Sequence, residues 1–131
     1  MFKMAITFTV AACLAAIVVW PAQAQTVRPV KVGGDPDLPA CGSMGKVEGL
    51  DPKGDGFLAV KAAPSIKSAR IDKLTTGKHA YVCDFEGDWY GIIYSLGKQD
   101  CNLTKPRRAG HYKGPCRWGW VHKRWFNPYA G

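Results

Sequence analysis

A stretch of eight residues constrains the fold of this chain more than any other, and it reads Gly-Asp-Trp-Tyr-Gly-Ile-Ile-Tyr over residues 87–94. A Gly-Asp pair is typical of a tight turn, and the aromatic and β-branched run after it is typical of a half-buried strand. Because side chains alternate along a strand, Tyr90, Ile92 and Tyr94 are predicted to share one face. A shorter stretch, Gly-Trp-Val-His over 119–122, repeats this pattern.

The first 24 residues have the organisation of an export signal. Lys3 precedes an apolar run over residues 4–20, and Ala22-Gln23-Ala24 supplies a small-x-small cleavage pattern. The run is close to the length of a minimal membrane span, so a retained anchor helix is the alternative. A lipidated leader fits less well, because the apolar run continues well past Cys13. The pattern predicts cleavage before Gln25 and a periplasmic or secreted location.

Four cysteines follow the leader, and an even number in an exported chain of this size indicates a disulfide framework. They are Cys41, Cys83, Cys101 and Cys116. Sequence alone allows three pairings. We favour Cys101–Cys116, because this bond closes a local loop, and by elimination Cys41–Cys83. The chain contains no CxxC pair, so it lacks the signature of zinc ribbons and of thioredoxin-like redox sites.

Short strands separated by turn residues are predicted for most of the remaining chain, at residues 57–62, 79–85, 89–95 and 117–122. Residues 25–46 are rich in Gly, Pro and Asp and are predicted to form an extended segment pinned at Cys41. Residues 65–74 are predicted to be an irregular loop. Residues 96–115 are predicted to be an insertion that a disulfide holds at its base, outside the core. The pattern predicts an all-β fold, a small antiparallel barrel over residues 47–127.

Several short motifs follow one another in a definite order along this region. They are Leu-Ala-Val-Lys-Ala-Ala-Pro-Ser over 58–65, Leu74, Gly77, Val82, Gly-Asp-Trp-Tyr over 87–90 and Gly-Trp-Val-His over 119–122. Their order resembles that of the bacterial Src homology 3 (SH3) domain family, over residues 47–126. The resemblance implies a five-stranded antiparallel SH3-like barrel, enlarged here by the disulfide-closed insertion 96–115. It also implies that Val121 and Phe126 belong to the core.

The same resemblance implies a shallow ligand groove bordered by Trp89, His122 and Trp125. Eukaryotic SH3 domains bind proline-rich peptides on such a surface. Exported bacterial relatives are more often linked to recognition of the cell wall or envelope. The alternative for these aromatic residues is burial, since aromatic side chains supply much of the core of a small domain.

Basic residues dominate the C-terminal part of the chain, where residues 101–131 carry seven Lys and Arg and no Asp or Glu. The candidates for contact with an anionic envelope polymer are Arg107, Arg108, Lys113, Arg117 and Arg124. The alternative is a solvated surface that keeps an exported protein soluble. Small barrels with basic and aromatic residues can bind nucleic acid, but the export signal argues against such a partner.

No residue pattern predicts catalysis, a metal site or a cofactor. His79, His111 and His122 do not lie at metal-ligand spacing, and disulfides would remove the cysteines as nucleophiles. We therefore predict a non-catalytic SH3-type binding module that recognises a cell-envelope component, peptidoglycan or another anionic envelope polymer. The alternative is an accessory protein that binds a periplasmic protein partner through the aromatic groove or the 96–115 loop.

Overall fold

The computed structural model of this chain describes residues 4–20 and 26–130. Residues 4–20 have no regular secondary structure, and their side chains are exposed. The predicted cleavage pattern Ala22-Gln23-Ala24 lies outside the described residues. Within the described ranges, no helix has the length and apolar character needed to cross a membrane.

Regular structure in the described residues consists of nine β-strands and one 3-10 turn. In chain order these are β1 (Lys31–Val32), β2 (Ser43–Val47), β3 (Leu58–Lys61), β4 (Arg70–Leu74), β5 (His79–Glu86), β6 (Trp89–Tyr94), β7 (Gly110–His111), β8 (Arg117–His122), the 3-10 turn (Lys123–Trp125) and β9 (Phe126–Ala130). Seven strands form one antiparallel sheet in the order β4-β3-β8-β6-β5-β2-β9, and β1 pairs with β7 in a separate ribbon. The four predicted strands are therefore confirmed as β3, β5, β6 and β8.

The all-β class is confirmed, but the prediction of a closed five-stranded barrel is wrong. The large sheet is open, with β4 and β9 as its two edges. Residues 126–130 continue beyond the predicted turn as β9 and pair with β2. β4 lies where an irregular loop was predicted. The sequence did not reveal this edge strand because Leu74 is its one fully buried residue, so apolar and polar side chains do not alternate along it.

One face of the large sheet carries the main hydrophobic core. Its buried members are Val47, Leu58, Val60, Leu74, Ala80, Val82, Ile92, Tyr94, Val121 and Phe126. The predicted alternation along β6 is confirmed, since Tyr90, Ile92 and Tyr94 all belong to this side. The burial of Val121 and Phe126, which the SH3 resemblance implied, is confirmed as well.

The opposite face of the sheet, called the outer face below, carries a second hydrophobic core. The N-terminal segment and the 96–115 segment cover β6 and β8 there, and the buried members are Val30, Val32, Ala40, Cys41, Ile93, Cys101, Leu103, Tyr112, Cys116 and Trp120. The prediction that residues 96–115 lie outside the core is therefore wrong. Their few apolar residues are separated by turns and show no period, so the sequence pattern does not reveal their burial.

Both disulfides belong to this second core, and they have the favoured pairing, Cys41–Cys83 and Cys101–Cys116. The Tyr112 hydroxyl ties the second bond to its surroundings. It donates to the Cys101 carbonyl oxygen at 2.9 Å and accepts from the Cys116 backbone N–H at 3.1 Å. Two structural disulfides indicate an oxidising environment, such as the periplasm or the extracellular space.

The segment from residue 26 to residue 32, called the strap below, crosses the outer face of the large sheet. The carbonyl oxygen of Arg28 accepts from the indole N–H of Trp120 on β8 at 2.7 Å. Further along, the backbone N–H of Lys31 donates to the Asp84 carboxylate on β5 at 3.1 Å. The strap is thus fixed to two strands of the sheet that it covers.

We expect Gly91→Ala to lower the free energy of unfolding by about 1–3 kcal/mol, because the space over Gly91 is already filled. A Cβ atom there would lie 2.7 Å from the Cβ of Asp84 and 3.1 Å from a methyl group of Val30 in the strap. Gly110→Ala is the matched control, since a Cβ on Gly110 meets no atom within 4 Å. Urea unfolding of both variants measures the difference. Equal stability of the two variants would contradict close packing of the strap.

A polar cluster joins the end of β6 and the start of β8 to β4. The Tyr94 hydroxyl donates to the Asp72 carboxylate at 2.7 Å, and the Arg117 guanidinium lies 3.4 Å from the same oxygen. Burial raises the pKa of Tyr94 well above its ordinary value, and the bond to Asp72 adds to the effect. Burial alone would raise the pKa of Asp72. Hydrogen bonds from Tyr94 and the Lys73 backbone, with the charge and hydrogen bond of Arg117, outweigh burial and lower it.

This cluster predicts a specific loss of stability in acid. Because the folded-state pKa of Asp72 is below its unfolded value of about 3.9, its contribution is complete above that value and is lost as pH falls through the folded-state pKa. We therefore expect wild type to lose more unfolding free energy than Asp72→Asn when the pH is lowered from neutral to strongly acid. Urea unfolding at both pH values measures this. An identical loss in the two proteins would show that Asp72 contributes nothing to the acid response.

Candidate binding groove

An open groove of about 470 Å³ lies at the end of the sheet where β6 begins and β8 ends. One wall is formed by the start of β6, the end of β8 and the 3-10 turn. The other wall is formed by residues 50–57, which lead into β3, together with Ile66. Two other clefts on the described surface each have a volume of about 350 Å³. This cleft is called the aromatic groove below, because Trp89, His122 and Trp125 line it.

The first wall brings the three predicted groove residues, Trp89, His122 and Trp125, into contact. Trp89 and His122 are directly opposite each other in the β6–β8 register, and their ring centroids are 5.4 Å apart. The His122 and Trp125 centroids are 5.3 Å apart. All three side chains are half-buried, so each packs against the protein and also presents a surface to the groove.

Local hydrogen bonds explain how Trp89, His122 and Trp125 come together, although Trp89 is distant in sequence and a turn separates the other two. The Nδ1 atom of His122 accepts from the backbone N–H of Arg124 at 3.1 Å, which caps the 3-10 turn and brings Trp125 back towards β8. The backbone N–H of Lys123 donates to the carbonyl oxygen of Asp88 at 2.9 Å, which ties this turn to the β5–β6 hairpin. Because Nδ1 is an acceptor, the neutral His122 ring carries its proton on Nε2.

The second wall contains residues that no sequence pattern marked as a binding site. Asp51 and Asp55 place two exposed carboxylates here, and Phe57 and Ile66 add apolar surface. Ile66 is 78% exposed, which is unusual for a large aliphatic side chain. In the sequence, residues 50–56 are visible only as a cluster of turn residues. Their position directly before the first SH3-like motif is the signal that could have identified them.

Cations from the edge of the sheet pack against the Phe57 ring of this second wall. Phe57 has the Arg70 guanidinium 5.2 Å and the Lys73 ammonium 4.6 Å from its ring centroid, both from β4. The Lys61 ammonium donates to the carbonyl oxygen of Ile66 at 3.2 Å and so fixes the loop that carries it. These contacts give the second wall a defined position relative to β3.

The five predicted basic residues do not form a single patch. Arg124 lines the aromatic groove, with its guanidinium 5.4 Å from the Trp125 ring centroid. Arg117 lies at the opposite end of β8 and pairs with Asp72. The remaining three are exposed on the segment that covers the outer face, and they are Arg107, Arg108 and Lys113.

The groove combines aromatic faces, two carboxylates and one exposed guanidinium in an open cleft. Such a combination suits a ligand that has apolar or ring-shaped parts and carries both charges. Across residues 4–20 and 26–130, no three His, Cys, Asp or Glu side chains are placed so that they could hold a metal ion.

Comparison with models of protein families, with curated proteins and with solved structures finds no match to this chain. The SH3 resemblance therefore depends on the motifs of the chain itself and stays a prediction. An all-β fold alone does not assign a function, because unrelated activities share such folds.

We expect His122→Ala to lower the free energy of unfolding by about 1 kcal/mol, because it removes the acceptor that caps the 3-10 turn. It also removes the ring between Trp89 and Trp125. The matched control is His111→Ala, an exposed position on β7, for which we expect a change within about 0.5 kcal/mol. Urea unfolding followed by tryptophan fluorescence measures both. A similar effect at the two positions would mean that the His122 cap does not stabilise the fold.

Proposed function

We propose that this protein is an exported, non-catalytic SH3-type binding module that recognises peptidoglycan, or a related anionic polymer of the cell envelope, through the aromatic groove. One observation carries the proposal. Trp89, His122 and Trp125 form a continuous row of half-buried rings along an open cleft. A row of large aromatic side chains left partly exposed on a small domain is typical of a recognition surface.

The chemistry of the groove suits this class of ligand. Peptidoglycan offers sugar rings, whose faces can lie on aromatic side chains, and short peptides with carboxylate and amine groups. Arg124 is positioned to bind a carboxylate, whereas Asp51 and Asp55 on the other wall can bind an amine. A ligand with both charges would therefore lie across the groove, with its charged groups on opposite walls.

The compartment supports the same class of ligand. The two disulfides favour an oxidising environment, and the leader pattern favours export. We place the protein in the periplasm or outside the cell, where an exposed envelope polymer is within reach.

A periplasmic protein partner is the second candidate. It is favoured by the exposed side chain of Ile66 at the rim of the groove, because isolated sugars and short peptides offer little apolar surface to cover it. In this case the partner would bind the groove, the 96–115 segment, or both.

Sedimentation with purified sacculi at low and physiological salt tests the proposal. We expect wild type to sediment, and Trp89→Ala and Trp125→Ala each to lose at least about tenfold in affinity, since central aromatic side chains dominate binding surfaces. Tyr129→Ala is the matched control, because Tyr129 is a 50% exposed aromatic side chain on β9, outside the groove. Thermal unfolding of each variant checks that it is folded.

Failure of wild type to sediment with sacculi at low salt would contradict recognition of peptidoglycan. Recovery of one defined protein from periplasmic extract by wild type, but not by Trp125→Ala, would favour the second candidate. A Trp89→Ala variant that unfolds would assign that side chain to the core, and the Trp125→Ala result would then decide whether the groove binds.

A further inference from the structure

A separate surface of the protein carries a concentration of positive charge. The β1–β7 ribbon and the adjoining residues 105–113 lie over the second core, on the outer face. Five exposed cationic side chains, called the cationic ribbon below, belong to it: Lys31, Lys105, Arg107, Arg108 and Lys113.

The register of the ribbon directs part of this charge outwards. Lys31 on β1 lies opposite His111 on β7, and both are exposed. Their neighbours Val32 and Tyr112 are buried in the second core. Because side chains alternate along an extended chain, Lys31, His111 and Lys113 point away from the protein.

The backbone of the ribbon is held firmly by the N-terminal segment. The Gly34 backbone N–H donates to the Arg107 carbonyl oxygen at 3.0 Å, and the Ala40 N–H donates to the Lys105 carbonyl oxygen at 3.0 Å. Gly33 has a φ of 77°, and a Cβ atom there would lie 2.5 Å from the Arg107 carbonyl oxygen. The cations are therefore presented from a fixed backbone that is tied, through Cys41, to the disulfide framework.

The cations of the ribbon form no ion pair within the described part of the chain. Its ion pairs are Arg28–Glu86, Lys46–Glu48 and Arg117–Asp72, and none of them includes a member of the cationic ribbon. Asp35 and Asp37 lie on the adjacent turn, where the Asp37 backbone N–H donates to the Asp35 carboxylate at 2.8 Å. Positive charge therefore remains in excess on this surface, at a cost in self-repulsion that a negatively charged ligand would relieve.

We propose that the cationic ribbon docks the protein onto an anionic lipid surface by binding lipid phosphate groups. Guanidinium and ammonium groups both bind phosphate, and Arg does so with paired hydrogen bonds. Leu38 favours a lipid over a purely polar polymer, because this side chain is 56% exposed and lies two residues before Ala40, whose backbone N–H donates to the Lys105 carbonyl oxygen. A single apolar side chain among cations suits the boundary between headgroups and acyl chains. This site is separate from the aromatic groove and does not depend on its ligand.

Co-sedimentation with phosphatidylcholine vesicles, with and without phosphatidylglycerol, tests this docking surface. We expect wild type to bind the anionic vesicles and to release them as salt rises, since surface charges are screened. The triple variant Lys105→Gln, Arg107→Gln, Arg108→Gln should lose at least about tenfold in affinity, because each cation near an anionic membrane contributes separately. Lys53→Gln, Lys67→Gln, Lys98→Gln is the matched control, with the same change in charge at exposed positions elsewhere.

Four further measurements control for the source of the phosphate and for the integrity of the fold. Leu38→Ser should weaken binding to anionic vesicles, whereas competition by inorganic pyrophosphate should be the same for Leu38→Ser and wild type. Thermal unfolding should not change in either triple variant or in Leu38→Ser, because the substituted side chains are exposed. Trp125→Ala should still bind vesicles, which separates this surface from the aromatic groove.

The proposal is overturned if wild type ignores anionic vesicles at low salt, or if the control triple variant loses as much affinity as the ribbon variant. It is also overturned if the ribbon variant binds vesicles normally but no longer sediments with sacculi. In that case the cations would serve the envelope polymer and not a lipid surface.

Discussion

The packing of two covering segments onto the outer face of β6 and β8 is the interaction on which the rest of this structure depends. Trp120 lies at its centre, with no exposed surface, and its indole N–H is satisfied by the Arg28 carbonyl oxygen. A buried indole without that partner would carry an unpaired donor in an apolar environment. Both disulfides lie in the same layer. Covalent bonds therefore hold the two covering segments in place, because the small apolar area that they bury would stabilise them only weakly.

The covering layer also explains where the aromatic groove lies. The strap and the 96–115 segment protect the middle of the outer face, but they do not enclose its end at Trp89 and His122. Residues 50–57 then rise on the other side and leave a cleft between the two walls. The Trp89 and His122 rings are therefore left half-buried because one continuous aromatic face is only partly covered. On β8 this face includes Trp118, Trp120 and His122.

The sequence predicts the structure best where burial has a regular period. The alternation of Tyr90, Ile92 and Tyr94 predicts the β6 faces, and the four strongest strands are placed correctly because each has at least one buried face. The sequence predicts residues 96–115 least well, because their buried Leu103 and Tyr112 are fixed by a disulfide and by contacts from the distant N-terminal segment. The SH3 resemblance pointed to the three side chains of the first groove wall, and their role in binding stays a prediction. It did not point to the second wall, because turn residues carry no sign of the surface that they will face.

The open sheet has one more consequence, which concerns pairing between strand edges of different molecules. An unpaired strand edge is a template on which another chain can add a strand. In β9 the residue opposite Gly45 is Pro128, which has no amide hydrogen to donate to an added strand. In β4, the charged residues Arg70, Asp72 and Lys73 put charge along the free edge. Each edge strand thus carries a feature that disfavours edge-to-edge pairing with a second copy of the open sheet.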